Sequence, residues 1–196
     1  MPQKIRIIAG ALGGRLLEVP EEGTRPFADR VRQALFAILE PRLPDARVLD
    51  LCAGSGAAGL EALSRGARHV QFVDVSRRAT DVIRRNVASL GLADQTEIQA
   101  SDALASLRAL VARGAAFDLI VADPPYDEVS TRRGILELAV DHPSPLATGG
   151  LLVLSGRRVK GQAAQEAPRR LRLVRGLTYG ETAIDLYEHE GAEELR

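Results

Sequence analysis

The chain predicts an α/β protein built on a doubly wound sheet of seven strands, mostly parallel with an antiparallel C-terminal strand, plus an N-terminal β-hairpin. Three observations carry this. From Arg47 onward, short apolar runs alternate with stretches of helical periodicity, the pattern of a parallel sheet covered by helices. Successive runs are each followed by an aspartate, which marks one common edge of the sheet. Near the end, Arg169 to Val174 and Thr182 to Glu188 are separated by only a short segment containing Gly176 and Gly180, so these two strands must run antiparallel.

Residues 4 to 19 read as two β-runs, Ile5 to Ala9 and Arg15 to Val19, around a turn rich in glycine: Gly10, Gly13 and Gly14. They define a hairpin extension over residues 1–23, in front of a main domain over residues 24–196. Val31, Ala34, Leu35, Ile38 and Leu39 then recur at helical spacing until Pro41 and Pro44 close the segment. Arg25, Arg30 and Arg32 gather near the start of this helix. Cations there oppose the macrodipole, which points to a bound partner or an ion pair with Asp29. Strands follow at Arg47 to Leu51, His69 to Val75, Thr96 to Ala100, Phe117 to Ala122 and Gly150 to Leu154. Helices fall near 57–66, 77–91, 102–113 and 129–141, with Gly66, Gly91 and Gly114 at their C-terminal ends.

At 196 residues and 45% hydrophobic content the chain suits one domain with a sizeable core. The net charge of zero gives no general attraction to nucleic acid, so any such binding rests on local patches. One patch is the run of seven cations from Arg157 to Arg175, set against Glu166 alone; the tail from Asp185 is acidic. Cys52, the single cysteine, excludes an internal disulfide, and the scattered His69, His142 and His189 argue against a zinc site. The start lacks an apolar signal core and no apolar run approaches the ~20 residues that span a bilayer, so a cytoplasmic protein is expected.

Two stretches carry the chemistry. Asp50 to Gly59 contains G-x-G-x-x-G at Gly54, Gly56 and Gly59, directly after a strand and opening a helix, where glycines let a ligand approach the backbone. Asp74, 20 residues beyond Gly54, suits a ribose-binding carboxylate. Those features alone suit a nicotinamide dinucleotide, but Asp50 adds negative charge where a pyrophosphate would lie. S-adenosylmethionine, cationic and without phosphate, tolerates such acids. Asp102 at the next strand end could accept from an adenine amino group, although helix capping also explains it. The second stretch is Asp123-Pro124-Pro125-Tyr126. Paired prolines hold the backbone extended, while Asp123 and the Pro124 carbonyl supply acceptors and Tyr126 a flat face. Together they suit a planar ring bearing an amino group; taken alone, the same residues are also a strand-ending turn.

With Asp50, Asp74, Asp102 and Asp123 at successive strand ends, the chain resembles the Rossmann-like S-adenosylmethionine-dependent methyltransferases. Asp123 to Tyr126 resembles the [DN]-P-P-[YF] signature of those acting on exocyclic amines or amide nitrogens. Arg6 to Gly10, Arg25-Pro26, Asp29 to Phe36, Asp50 to Gly59, Asp123 to Tyr126 and Tyr179 to Thr182 look like the bacterial ribosomal RNA guanine-N2 methyltransferases of the RsmD type. The resemblance implies cofactor contacts at Asp50, Gly54, Gly56, Asp74 and Asp102, with Ala53, Val75 and Ala103 beside them. It implies target-base contacts at Asp123, Pro124 and Tyr126 within a loop that includes Pro125; phosphate contacts are expected at Arg25, Arg30 and Arg32 and along Arg157 to Arg175, with Tyr179 as a further RNA contact. No metal is implied. The chain departs from the family pattern at Ala11-Leu12-Gly13, at Phe27, and where Leu154 or Ser155 replaces a usual glutamate. Methylation of adenine in nucleic acid or of a protein glutamine, and NAD-dependent oxidoreduction, are the alternative readings.

Overall fold

The computed structural model describes residues 4–20, 29–140, 144–157 and 169–190. The chain divides into two compact units, Met1–Asp102 and Ala103–Arg196. The mostly parallel sheet of seven strands expected from the sequence is present, with the hairpin as a separate two-stranded sheet.

In the first unit the hairpin strands β1 (Lys4–Arg6) and β2 (Leu16–Glu18) are shorter than predicted. Helix α1 spans Asp29–Leu39 and strand β3 Arg47–Leu51. Helix α2 (Ala57–Ser64), strand β4 (His69–Asp74), helix α3 (Arg77–Leu90) and strand β5 (Thr96–Ala100) follow. Strands β3, β4 and β5 lie parallel in the order β5-β4-β3. Val48, Leu49 and Leu51 on β3 and Val70, Phe72 and Val73 on β4 are fully buried, which is why these strands read as continuous apolar runs rather than alternating ones. Ser76 caps α3 by accepting from the Ala79 N–H at 3.3 Å, and Gly91 ends it at φ 72°.

The hairpin is bound into this unit by side chains of α2 and α3. The fully buried Glu61 accepts from the backbone N–H groups of Ile8 at 2.7 Å and Ala9 at 3.1 Å. Ser64 takes the Ala11 N–H on its carbonyl at 2.7 Å and the Leu12 N–H on its hydroxyl at 3.0 Å. A Cβ at Gly10 would stand 1.9 Å from that Ser64 carbonyl oxygen, so only glycine lets the turn lie on α2. At the other end Asn86 exchanges hydrogen bonds with the backbone of Glu18, at 2.9 and 3.0 Å.

Arg32 belongs to the same stitching, and here the structure corrects the expectation of an RNA contact. Its side chain is 1% exposed. It donates to the Arg6 carbonyl at 2.5 Å and to Asp29 at 3.0 Å, and lies 3.9 Å from Glu61. Burial pulls its pKa below the ordinary arginine value, opposed by Asp29 and Glu61. A guanidinium enclosed in this way cannot reach a phosphate; it holds β1 against α1 and α2.

The second unit carries helix α4 (Ala103–Ala112), strand β6 (Phe117–Ala122), helix α5 (Val129–Leu138) and strands β7 (Leu146–Arg157), β8 (Leu171–Tyr179) and β9 (Thr182–His189). Their order is β6-β7-β9-β8, with β6 and β7 parallel and β9 antiparallel to both its neighbours. Strands β7 and β8 outrun the predicted 150–154 and 169–174 because β9 pairs along both, from Leu151↔Glu188 to Arg157↔Thr182 and from Leu171↔His189 to Tyr179↔Thr182. Gly176 therefore lies inside β8 rather than in the connection. Gly180, at φ 58°, makes the two-residue turn before β9.

Candidate active site

The glycine loop leaves β3 with Cys52, Gly54 and Gly56 all at positive φ (57°, 56° and 76°), a path that turns the chain sharply into α2. Asp74 fixes this path. Its two carboxylate oxygens accept from the Gly54 N–H and the Ser76 N–H, each at 2.8 Å, so the acid at the end of β4 ties the loop to the start of α3. The Ala53 N–H donates to the Val73 carbonyl at 3.1 Å.

Asp50 is buried, and its Oδ2 accepts from the Gly59 N–H at 2.9 Å in the first turn of α2. A carboxylate there satisfies an orphan helix donor and interacts favourably with the dipole. Gly59 itself has no alternative: a Cβ would stand 2.3 Å from the Phe72 ring, so α2 can lie against β4 only without one. Val75, just past β4, exposes 75% of its surface and offers an apolar platform at the loop's edge. Asp102 is exposed before α4, whose first residue, Ala103, is buried.

In the second unit the Asp123 to Tyr126 loop follows β6 directly. Pro124 is buried, Pro125 exposed, and the Pro125 carbonyl accepts the Glu128 N–H at 2.9 Å, closing a turn ahead of α5. The Ser155 hydroxyl donates to Asp123 Oδ1. Burial pushes the Asp123 carboxyl up to about 6, against the lowering effect of that hydrogen bond. Tyr126 is 36% exposed and its hydroxyl lies 2.6 Å from Thr182 Oγ1 on β9. Behind Ser155, Arg132 of α5 pairs with Asp185 of β9 at 2.6 Å. Tyr187 is pushed up to about 12 by burial and by Asp185, with Arg132 opposing.

Of the predicted residues, Asp50, Ala53, Gly54, Gly56 and Asp74 gather around one loop of the first unit, with Val75 and Asp102 at neighbouring strand ends. Asp123, Pro124, Pro125 and Tyr126 form one loop of the second. Arg30 is exposed and Tyr179 half-buried, whereas Arg25 lies outside the described residues. The cation run from Arg157 is partly neutralised: Arg157 lies 3.9 Å from Glu181, and Arg172 reaches Glu188 at 2.5 Å and Glu190 at 3.2 Å. Sequence reasoning missed Ser155, Thr182, Arg132 and Asp185 as supports of the Asp123 loop. The signal for Ser155 was a lone hydroxyl ending the apolar run Leu151 to Leu154.

The model of the family described as "Conserved hypothetical protein 95" matches residues 5–188. The chain belongs to that family. It is 35% identical over 195 residues to the ribosomal RNA small subunit methyltransferase D of Escherichia coli, covering 97% of this chain and 93% of that protein. Among solved structures, the yhhF protein of Escherichia coli superimposes with a TM-score of 0.83 at 34% identity, covering 96% of this chain and 99% of that one. A hypothetical protein of Thermus thermophilus gives a TM-score of 0.77 at 32% identity, covering 95% and 99%. These proteins match the chain nearly end to end, so the Rossmann-like methyltransferase fold extends over both units.

Proposed function

We propose that this protein transfers the methyl group of S-adenosylmethionine to the exocyclic N2 amine of a guanine in small-subunit (16S) ribosomal RNA. The observation that carries this reading is the Asp123 carboxylate, held by Ser155 beside the half-exposed ring of Tyr126. Support for the substrate comes from the 35% identity to the Escherichia coli ribosomal RNA small subunit methyltransferase D.

The donor set of the first unit fits the cofactor. Asp74 sits at the end of β4, as a ribose-binding carboxylate does, and after its two backbone donors each oxygen keeps accepting capacity for ribose hydroxyls. Val75 offers an apolar surface to the adenine ring, and Asp102 an acceptor for its amino group. The buried Asp50 adds negative charge that suits a cationic ligand and disfavours a pyrophosphate. Bound there, S-adenosylmethionine supplies an electrophilic methyl group on a sulfonium that leaves as a neutral thioether.

The chain's part in the chemistry lies with Asp123, Pro124 and Tyr126. A guanine amine is a weak nucleophile because its lone pair is delocalised into the ring. The Asp123 carboxylate and the Pro124 carbonyl would accept hydrogen bonds from the two amino protons and so orient the nitrogen lone pair, while the Tyr126 ring would stack on the base. On methylation the amine nitrogen sheds one proton. Asp123, with its pKa raised to about 6, is matched to receive that proton near neutral pH. A target held in RNA structure must first be unstacked, at a cost of a few kcal/mol that stacking on Tyr126 offsets. The exposed Arg30, Arg169 and Arg175 offer charge to phosphates, which makes binding salt-dependent. The RNA is taken as part of the small subunit or an assembly intermediate of it.

Asp123→Ala tests the reading. Calorimetry with S-adenosylhomocysteine should show binding unchanged, while transfer of labelled methyl to small subunits nearly vanishes; full activity would overturn it. Parallel incubations with DNA and with protein glutamine substrates should remain unlabelled.

A further inference from the structure

We propose that Ser155 is a positioning residue of the methyl-transfer reaction, and that the Arg132–Asp185 ion pair fixes its place in β7. The inference rests on the reading of Asp123 as the acceptor for the substrate amine, and deepens it.

Ser155 is fully buried, in a strand otherwise apolar from Leu151 to Leu154. Its hydroxyl donates to Asp123 Oδ1, which leaves Oδ2 as the oxygen presented to the amine. A carboxylate at the end of a loop rotates about χ2 unless one oxygen is held, and a rotated acceptor no longer aims the nitrogen lone pair. The register brings the two residues together: Ala122 of β6 pairs with Leu154 of β7, so Asp123 and Ser155 are the next residues along.

The serine is itself held from behind. Arg132 Nη1 donates to the Ser155 carbonyl and, at 3.4 Å, to the Leu154 carbonyl, and Nη2 donates to Asp185 Oδ2 at 2.6 Å. Asp185 pairs with Leu154 across the β7–β9 ladder, so the ion pair spans α5, β7 and β9. Gly156 makes room for it: a Cβ there would fall 2.3 Å from Arg132 Nη1. A largely buried ion pair gains little stability over an apolar filling, but it fixes geometry. Here what it fixes is the backbone that carries the donor to Asp123.

Electrostatics agree with this geometry. Burial raises the Asp123 carboxyl and the Ser155 hydrogen bond lowers it. Among the described residues no charged side chain contributes to that shift: Arg132 and Asp185 neutralise each other, and Asp127 and Glu128 on the same loop are exposed. The Ser155 hydroxyl is thus the group that opposes the effect of burial on the Asp123 carboxyl.

The test compares wild type, Ser155→Ala and Ser155→Thr in the full chain. Two readouts are taken: kcat against pH with small subunits as substrate, and titration of the Asp123 carboxyl by carbon NMR without substrate. Ser155→Ala should lower kcat roughly tenfold, with the affinity for S-adenosylhomocysteine unchanged. It should also move the acid limb of the profile and the Asp123 titration up by about one pH unit, the size of a hydrogen bond to a charged group. Ser155→Thr, which keeps the hydroxyl, should restore both. An Asp123 titration identical in wild type and Ser155→Ala overturns the proposal. If wild type labels no ribosomal substrate, the functional reading fails while the NMR titration still decides the role of Ser155.

Discussion

The hydroxyl of Tyr126 lies 2.6 Å from Thr182 Oγ1, joining the loop after β6 to the first residue of β9. A phenol tied at its tip keeps its ring at a set angle while the face stays available. Thr182→Val removes the tie and should weaken RNA affinity by about 1 kcal/mol, roughly fivefold in KM with kcat little changed. Tyr126→Ala removes the stacking face and should cost about 2 kcal/mol, roughly thirtyfold in kcat/KM. Steady-state kinetics on small subunits check both.

In the proposed reading, Asp123 sets stability against activity. Its folded pKa, about 6, lies above its ordinary value of 3.8, so between those limits the folded state binds more protons than the unfolded one. Stability linked to this group is full below pH 3.8 and declines as pH rises through 6. Asp123→Asn removes the cost of the buried charge and should stabilise the protein by roughly 1–2 kcal/mol at about pH 8, with little effect at about pH 4. Wild-type kcat should fall on acidification below about pH 6 as the carboxylate is protonated. Thermal melts and a pH–rate profile decide the two parts.

Much of the fold was legible in the sequence because it rests on local patterns. The alternation from Arg47, the positive-φ glycines and the aspartates at strand ends need only neighbours in the chain. What stayed hidden depends on distant partners. Arg32 reads as a surface cation because its environment is supplied by Glu61, far along the chain, and by the Arg6 carbonyl. Ser155 reads as the residue after a strand, because only pairing with β9 extends β7 to Arg157. Thr182 reads as the first residue of a strand, and nothing in the sequence places it within reach of Tyr126.

Glu61 carries the attachment of the hairpin. Its carboxylate serves Ile8, Ala9 and Arg65 and lies beside Arg32, with no exposure to solvent. Glu61→Ala leaves Arg32 buried beside fewer acceptors and two hairpin N–H groups unpaired, so the loss should be about 3–5 kcal/mol. Denaturant unfolding measures it, and hydrogen exchange at Ile8 and Ala9 should accelerate first.

Asp74 ties the glycine loop to the start of α3, and in the proposed reading it also accepts the ribose hydroxyls. Asp74→Ala should abolish detectable binding of S-adenosylhomocysteine by calorimetry, because it loosens the Gly54 and Ser76 backbone as well as removing the ribose acceptor. Asp74→Asn keeps an acceptor and should retain weak binding.

The most direct measurement is mass analysis of nucleosides from small-subunit ribosomal RNA incubated with this protein and S-adenosylmethionine carrying a labelled methyl group. The account predicts one labelled product, N2-methylguanosine, formed by wild type and absent with Asp123→Ala. Label on adenosine, or on protein with none on RNA, would contradict it.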